Sequence, residues 1–266
     1  MRKLKVNQLE HLLGQEWDIF PAGGATGEAF IAVNKNEKLF LKRNSSPFLA
    51  VLSAEGVVPK LIWTRRLENG DTITAQRFID GKELTHEEMN EEKVAHLLRK
   101  IHRSKPLLSM LKRLGKTPLL PDIMLENIAS NLDLELQNIS PIQQTLYFLQ
   151  ENLSLIECDD KVVCHCDVNH NNWMITKENK LYLIDWDGAM IADPAIDLGI
   201  LLNSYIPREQ WGPWLSRYGV DLEPGLLLRM KWHVLAQLLI SIQWHKRKNR
   251  LKEMDILLKN LEAILV

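Results

Sequence analysis

The chain has 266 residues, 45% of them hydrophobic, with 33 basic against 34 acidic side chains and a formal net charge of −1. That length supports one large core or two small ones. The even charge balance excludes a global basic surface, so no direct nucleic-acid binding is expected.

The first eighty residues read as β-rich. Residues 17–21 carry a short strand signal, followed by the glycine turn Gly23-Gly24-Ala25-Thr26-Gly27. Residues 29–33 form a second apolar run, 34–38 a polar turn, and Leu39-Phe40-Leu41-Lys42 a third strand. Residues 46–56 suit a short helix with Pro47 near its start. Residues 59–66 and 72–78 read as two further strands around the turn Glu68-Asn69-Gly70-Asp71. Five strands with one helix inserted predict a small α+β lobe.

The composition changes at Ile79-Asp80-Gly81-Lys82 and turns mainly helical. Thr85 with Glu87 and Glu88 marks a helix start, and Val94, Leu97, Leu98 and Ile101 recur at helical spacing. Further helices are predicted over 140–156, 226–246 and 251–265. A compact non-helical block, 162–187, interrupts them. The predicted fold is α+β and bilobal, with residues 1–80 as a small antiparallel sheet lobe and 81–266 as a mainly helical lobe.

Three cysteines, Cys158, Cys164 and Cys166, crowd one stretch. An odd, clustered set argues against a disulfide framework and for a reducing compartment. A metal site at Cys164-His165-Cys166 has a single residue between the sulfurs, where zinc pairs have two to four, and no second ligand pair accompanies it. No apolar run of signal-peptide length follows the basic start. Charge interrupts the apolar stretches before the roughly 20 residues that span a bilayer. A soluble, cytoplasmic protein with no membrane span is expected.

The chemistry concentrates in the non-helical block. His165-x-Asp167 is followed five residues later by Asn172, and Asp185 ends an apolar strand eighteen residues after Asp167. Phosphoryl transfer needs this set: an Asp to accept or orient the proton of an attacking hydroxyl, and an Asn with a second Asp to hold Mg²⁺ against ATP phosphates. Lone Asp and Asn residues also favour turns, but two motifs in this order leave that reading little room. In the first lobe, Gly23, Gly24 and Gly27 sit where backbone N–H groups would cover phosphates, although glycines in a hairpin turn are common. Lys42 ends the third strand, and Glu55 in the short helix is its expected orienting partner. Gln76, Phe78 and Ile79 stand at the expected hinge, near 76–81, where backbone groups would bind adenine.

His165-x-Asp167-x₄-Asn172 resembles the catalytic loop of aminoglycoside phosphotransferases and choline kinases. Ile184-Asp185-Trp186-Asp187 resembles their metal-binding segment. The resemblance implies a protein-kinase-like fold, Asp167 as catalytic base, Asn172 and Asp185 as metal ligands, and Gly rather than Cys166 before the base. It also implies that Asp197, in Asp193-Pro194-Ala195-Ile196-Asp197-Leu198, supports the catalytic loop by hydrogen bonds. His165 is read as an organiser of the same backbone. Along most of its length the chain resembles the CcrZ (YtmP-like) cell-cycle regulators, through segments such as Leu98-Arg99-Lys100-Ile101-His102-Arg103-Ser104 and Asp167-Val168-Asn169-His170-Asn171-Asn172-Trp173. That resemblance implies a sugar or nucleoside hydroxyl as acceptor, such as ribose or 2-deoxyribose. It also implies a role in timing replication initiation, with replication or division proteins as partners.

Acceptor-site candidates are Asn169, His170, Trp173, Asp187, Trp232 and His233. A choline site would need an aromatic cage, and an aminoglycoside site many carboxylates. The basic run Lys246, Arg247, Lys248, Arg250 and Lys252 disfavours a polycation nearby; it reads as a solvated helix end or as a surface for an anion. Two alternatives stay open: a regulatory ATP-binding interaction protein with little turnover, and a choline or ethanolamine kinase.

Overall fold

The computed structural model describes residues 9, 12–23 and 28–265. Contacts divide the chain into two units, Met1–Leu84 with Asn171–Asp187, and Thr85–His170 with Gly188–Val266. The segment 171–187, which the sequence reading groups with the helical part, thus belongs by its contacts to the first unit.

The first unit holds a five-stranded antiparallel sheet. Its strands are β1 (Asp18–Gly23), β2 (Ala29–Val33), β3 (Lys38–Arg43), β4 (Leu61–Arg66) and β5 (Thr72–Arg77), in the order β1-β2-β3-β5-β4. Alternation decides the faces: Leu39 and Leu41 are buried with Phe30, Ala32, Ile73 and Ala75, so Phe40 and Lys42 point to the other face. The polar turn after β2 closes because the Asn34 side chain accepts from the Asn36 and Glu37 N–H groups at 2.9 and 2.7 Å. One short helix, Phe48–Ala54, lies between β3 and β4.

A second, three-stranded ribbon completes this unit: β6 (Gly81–Glu83), β8 (Trp173–Thr176) and β9 (Leu181–Leu183), in the order β6-β8-β9. A side chain at Gly81 would place its Cβ 2.2 Å from the Ile175 carbonyl oxygen, so only glycine lets β6 approach β8. Leu183 N–H donates to the Val57 carbonyl at 3.0 Å and ties the ribbon to the chain beyond the short helix.

The second unit is mainly helical. The sequence-predicted helix after residue 84 is a one-turn 3-10 segment followed by Glu92–His102. The one over 140–156 is Ser140–Glu151 followed by a 3-10 turn. Helices Lys105–Arg113, Pro121–Asn131, Ala195–Tyr205 and Trp211–Tyr218 add to them. A two-stranded antiparallel ribbon pairs β7 (Val162–Cys164) with β10 (Met190–Ala192). The core is built on helix Pro224–Arg247, whose Trp232, Leu235, Leu239 and Ile242 pack with Ile128, Ile142 and Leu149. This helix is long and apolar enough to cross a membrane by length and composition, but half of its most apolar window is buried inside the protein. Its apolarity is that of a core helix. The basic run at its end is engaged: Lys246 pairs with Asp133 at 3.0 Å and Glu135 at 2.7 Å, and Arg247 donates to the Asn131 carbonyl at 2.9 Å.

Helix Ala195–Tyr205 crosses the core helix at Gly199, where an added Cβ would meet the Met230 carbonyl oxygen and the Val234 side chain at 2.9 Å. Backbone cannot turn aside as a side chain can. Gly199→Val is therefore expected to destabilise the protein by about 1–3 kcal/mol, read as a lower urea midpoint at unchanged slope. An unaltered midpoint would mean that the two helices part freely here.

Candidate active site

The sequence-predicted site residues fall in both units, and each group is built by its own local structure. In the first unit, β8 and β9 form a hairpin in which Trp173 pairs with Leu183. The next rung joins the two candidate metal ligands, because Ile184 N–H donates to the Asn172 carbonyl at 2.8 Å. Asn172 and Asp185 are thereby held at one end of the same hairpin. Asp185 leaves it with φ 63°, a left-handed backbone that costs most residues energy and that Asp tolerates better than most. Trp186 locks the turn: its Nε1–H donates to the Leu183 carbonyl at 2.7 Å and its ring meets Phe48 edge-on at 5.8 Å.

Lys42, on the face of β3 away from the sheet core, reaches this turn. Its Nζ lies 3.1 Å from Asp187 Oδ2 and 3.7 Å from Asp185 Oδ1. The ion pairs of Lys42 are with these two aspartates; Glu55, its expected partner, stands at the C-terminal cap of helix Phe48–Ala54. One ammonium facing two exposed carboxylates leaves a net negative, oxygen-rich set of the kind that suits Mg²⁺. Gly23 ends β1 with φ 82°, whereas Gly24 and Gly27 lie outside the described residues. Gln76 is buried and its Nε2–H donates to the Pro59 carbonyl at 3.0 Å. Phe78 and Ile79 follow the end of β5, with Phe78 N–H donating to the Lys38 carbonyl at 3.1 Å.

In the second unit, Asp167 is exposed just beyond β7. Its Oδ1 accepts from Asn169 Nδ2 at 2.6 Å, which fixes the carboxylate plane. Its N–H donates to His165 Nδ1 at 3.3 Å, so that nitrogen carries no proton. His165 is fully buried and acts on the backbone. Cys166 has φ 66°, which accounts for the glycine that related motifs carry there: the loop demands a left-handed residue. Burial, with Asp197 and Asp167 nearby, pushes its thiol well above the ordinary value, so it is held as the protonated thiol. Asp197 grips the loop: Oδ2 accepts from His165 N–H and Oδ1 from Cys166 N–H, each at 2.8 Å. Burial alone would raise the Asp197 pKa, but the hydrogen bond from His102, with further help from His165, holds it below the usual value.

The acceptor candidates separate sharply. Asn169 stands beside Asp167, and His170 meets Tyr205, whose hydroxyl accepts from the His170 N–H at 3.0 Å. Asp187 is exposed in the first unit. Trp173 and Trp232 are fully buried, the latter donating Nε1–H to the Leu149 carbonyl at 2.8 Å, and His233 is 3% exposed beside Asp193. As placed, these three are core residues and offer no surface to an acceptor. Asp193 is buried and ion-paired to Arg229 at 2.9 Å, which ties the start of helix Ala195–Tyr205 to the core helix. The metal question raised by Cys164-His165-Cys166 takes a different form, because among the described residues the close group is His102, Cys164 and Asp197. Its members already bond to protein: His102 Nε2 donates to Asp197 at 3.0 Å and Cys164 Sγ to the Asp193 carbonyl at 3.4 Å. His102 and Tyr205 were not among the sequence candidates. His102 lies in a quoted segment, but 95 residues separate it from Asp197, and no local spacing links them.

Residues 20–233 match the APH family, a phosphotransferase enzyme family. A LicA homologue of Metamycoplasma hominis is 32% identical over 101 residues, 38% of this chain and 40% of that protein. The match therefore spans about two-fifths of the relative's length. The choline kinase LicA from Streptococcus pneumoniae has a similar fold, with a TM-score of 0.69 at 19% identity and 97% of each chain covered. So has the aminoglycoside phosphotransferase APH(2")-IIIa bound to GDP and kanamycin, with a TM-score of 0.73 at 12% identity and 97% of each chain covered.

Two expectations follow from this loop. Cys166→Gly should stay within about 1 kcal/mol of the parent, since relief of the left-handed backbone offsets lost packing, whereas the β-branched Cys166→Val should cost about 1–3 kcal/mol. Equal midpoints for the two would show that the left-handed conformation is not required. Asp197 has a lowered pKa, so its stabilisation is complete above the usual 3.8 of an aspartate and is lost as pH falls through its lowered value. The stability gap between the parent and Asp197→Asn should therefore narrow on acidification below about pH 4, as followed by urea titrations at stepped pH. A gap that widens in acid would refute the assignment.

Proposed function

Because this chain belongs to the phosphotransferase enzyme family, we propose that it is an ATP-dependent kinase whose acceptor is a small, hydroxyl-rich molecule, a sugar or nucleoside of the ribose or 2-deoxyribose kind. The observation that carries the reading of the chemistry is Lys42, whose ammonium lies 3.1 Å from Asp187 and 3.7 Å from Asp185. That set offers the cation that phosphates need and the carboxylates that Mg²⁺ needs in phosphoryl transfer from ATP.

In this reading Asp167 takes the proton of the acceptor hydroxyl as that oxygen bonds to the γ-phosphorus and the bond to the leaving ADP breaks. Asn169, donating to Asp167 Oδ1 at 2.6 Å, keeps the second oxygen of the carboxylate for that proton. Lys42 exchanges an aspartate for the α- and β-phosphates. Asn172 and Asp185 would hold Mg²⁺, which supplies charge neutralisation on the phosphates. Backbone groups near Phe78 and Ile79 receive adenine, and the glycine turn at Gly23 covers the phosphates.

The burial of Trp173 and Trp232 supports a hydroxyl-rich acceptor over a quaternary ammonium, since neither ring is available to an aromatic cage. Asn169, His170 and Tyr205 offer hydrogen-bonding edges instead. The likeness to LicA proteins favours choline as the second reading. The sequence resemblance to cell-cycle regulators adds a cytoplasmic setting, a role in replication initiation and protein partners of that process.

The test is Mg²⁺-dependent ADP release with ribose, 2-deoxyribose, nucleosides, choline, ethanolamine and kanamycin, run beside Asp167→Asn. Stimulation by a sugar or nucleoside is expected, falling at least about 100-fold in the variant while nucleotide binding persists. Stimulation by choline alone would replace the acceptor, and undiminished turnover by Asp167→Asn would remove the assigned base.

A further inference from the structure

Asp197 is a fully buried carboxylate, and the His165 and Cys166 amides are two of its donors. The third donor comes from helix Glu92–His102. His102 Nε2 lies 3.0 Å from Asp197 Oδ2, and the ring's other nitrogen, Nδ1, lies 2.7 Å from the Tyr218 hydroxyl. All three side chains are buried, Tyr218 to within 6% of its surface.

The donor inventory fixes the first of these bonds and, with the ring neutral, the second. An ionised carboxylate only accepts, so His102 must carry a proton on Nε2. In the neutral ring Nδ1 then accepts, and the Tyr218 hydroxyl donates to it. Burial, with the carboxylates of Asp197 and Asp193 adding to it, raises the Tyr218 pKa and keeps that hydroxyl protonated and able to donate. The chain of bonds therefore runs Tyr218 O–H to His102, His102 N–H to Asp197, and Asp197 to the N–H groups of His165 and Cys166.

We propose that His102 and Tyr218 are positioning residues for phosphoryl transfer: Tyr218 sets the His102 tautomer, and His102 keeps Asp197 ionised so that it holds the backbone on which Asp167 stands. The proposal rests on the reading of Asp167 as the base. The left-handed backbone of Cys166 is unfavourable in isolation and needs the Asp197 grip to persist. Without the His102 donor, a buried carboxylate would tend to take up a proton, and its hydroxyl would then oppose an amide N–H instead of accepting from it. The loop would relax at Cys166, and Asp167, next in the chain, would lose its aim. Neither His102 nor Tyr218 is expected to alter nucleotide binding, because both act within the second unit and Lys42 and Asp185 lie in the first.

The experiment measures kcat and the KM for ATP in His102→Leu, His102→Gln and Tyr218→Phe, with Asp167→Asn as the control. Glutamine places an amide N–H near the position of Nε2 and forgoes Tyr218. His102→Leu is expected to lower kcat about 10–100-fold, the usual cost of losing an outer-shell partner, with KM for ATP within about twofold. His102→Gln should recover most of the loss and Tyr218→Phe should fall between them. Amide hydrogen exchange at His165 and Cys166 should quicken in the same order. A folded His102→Leu with parental kcat, or a glutamine no better than leucine, would overturn the proposal. If His102→Leu does not fold, Tyr218→Phe decides, since it deletes one oxygen, and parental kcat and exchange rates in that variant refute it. Failure of the parent reading is distinct: Asp167→Asn would then stay active whatever the His102 variants do.

Discussion

A carboxylate in a dry interior must be surrounded by donors or give up its charge, and Asp197 meets that condition through three groups drawn from two stretches of chain. Two are the successive amides of His165 and Cys166, and the third is the ring of His102. The two amides converge on Asp197 where the backbone turns left-handed at Cys166. That turn carries the chain from β7 to Asp167. One buried charge thus couples a helix, a strand end and the residue proposed as the base. Asp193, four residues earlier, does comparable work for packing, tying the start of its helix to Arg229 on the core helix.

The first unit relies on an opposite arrangement. Asp185 and Asp187 are exposed, and the half-buried Lys42 pairs with both. Such pairs contribute little to stability in water, so the proposed exchange of an aspartate for phosphate would cost little. Rigidity comes instead from the hairpin beneath them, where the Ile184 amide binds the Asn172 carbonyl and the Trp186 ring is pinned at both its nitrogen and its edge.

Much of this was legible in the residues. The run Leu39-Phe40-Leu41-Lys42 marks a strand, though not which face is buried, and the spacing of His165, Asp167, Asn172 and Asp185 points to the chemistry before any coordinates. The substitution of Cys166 for glycine was visible too, and the structure supplies its cause in a positive φ. What was not legible is long-range. His102, Asp197 and Tyr218 meet across 95 and 116 residues, and no periodicity encodes that meeting. Aromatic content misleads in a related way: Trp173 and Trp232 look like cleft walls in a sequence, yet they pack as core, because an indole with one satisfied N–H is as much a filler as a binding surface. Short helices such as Lys105–Arg113 escape because a two-turn apolar pattern is indistinct from a loop.

The ribbon of β6, β8 and β9 also sets an order of events during synthesis. Its first strand emerges at Gly81–Glu83, but its partners are not made until residues 173–183, after 86 residues of the other unit. At translation rates of roughly 5–20 residues per second, that interval lasts several seconds. Through it, the five-stranded sheet waits with the backbone edge of β6 unpaired, and an open edge is a template for the wrong strand. The charged, short and glycine-led sequence of that strand, Gly81-Lys82-Glu83, is what a nascent chain needs to stay out of foreign sheets until its own partner arrives.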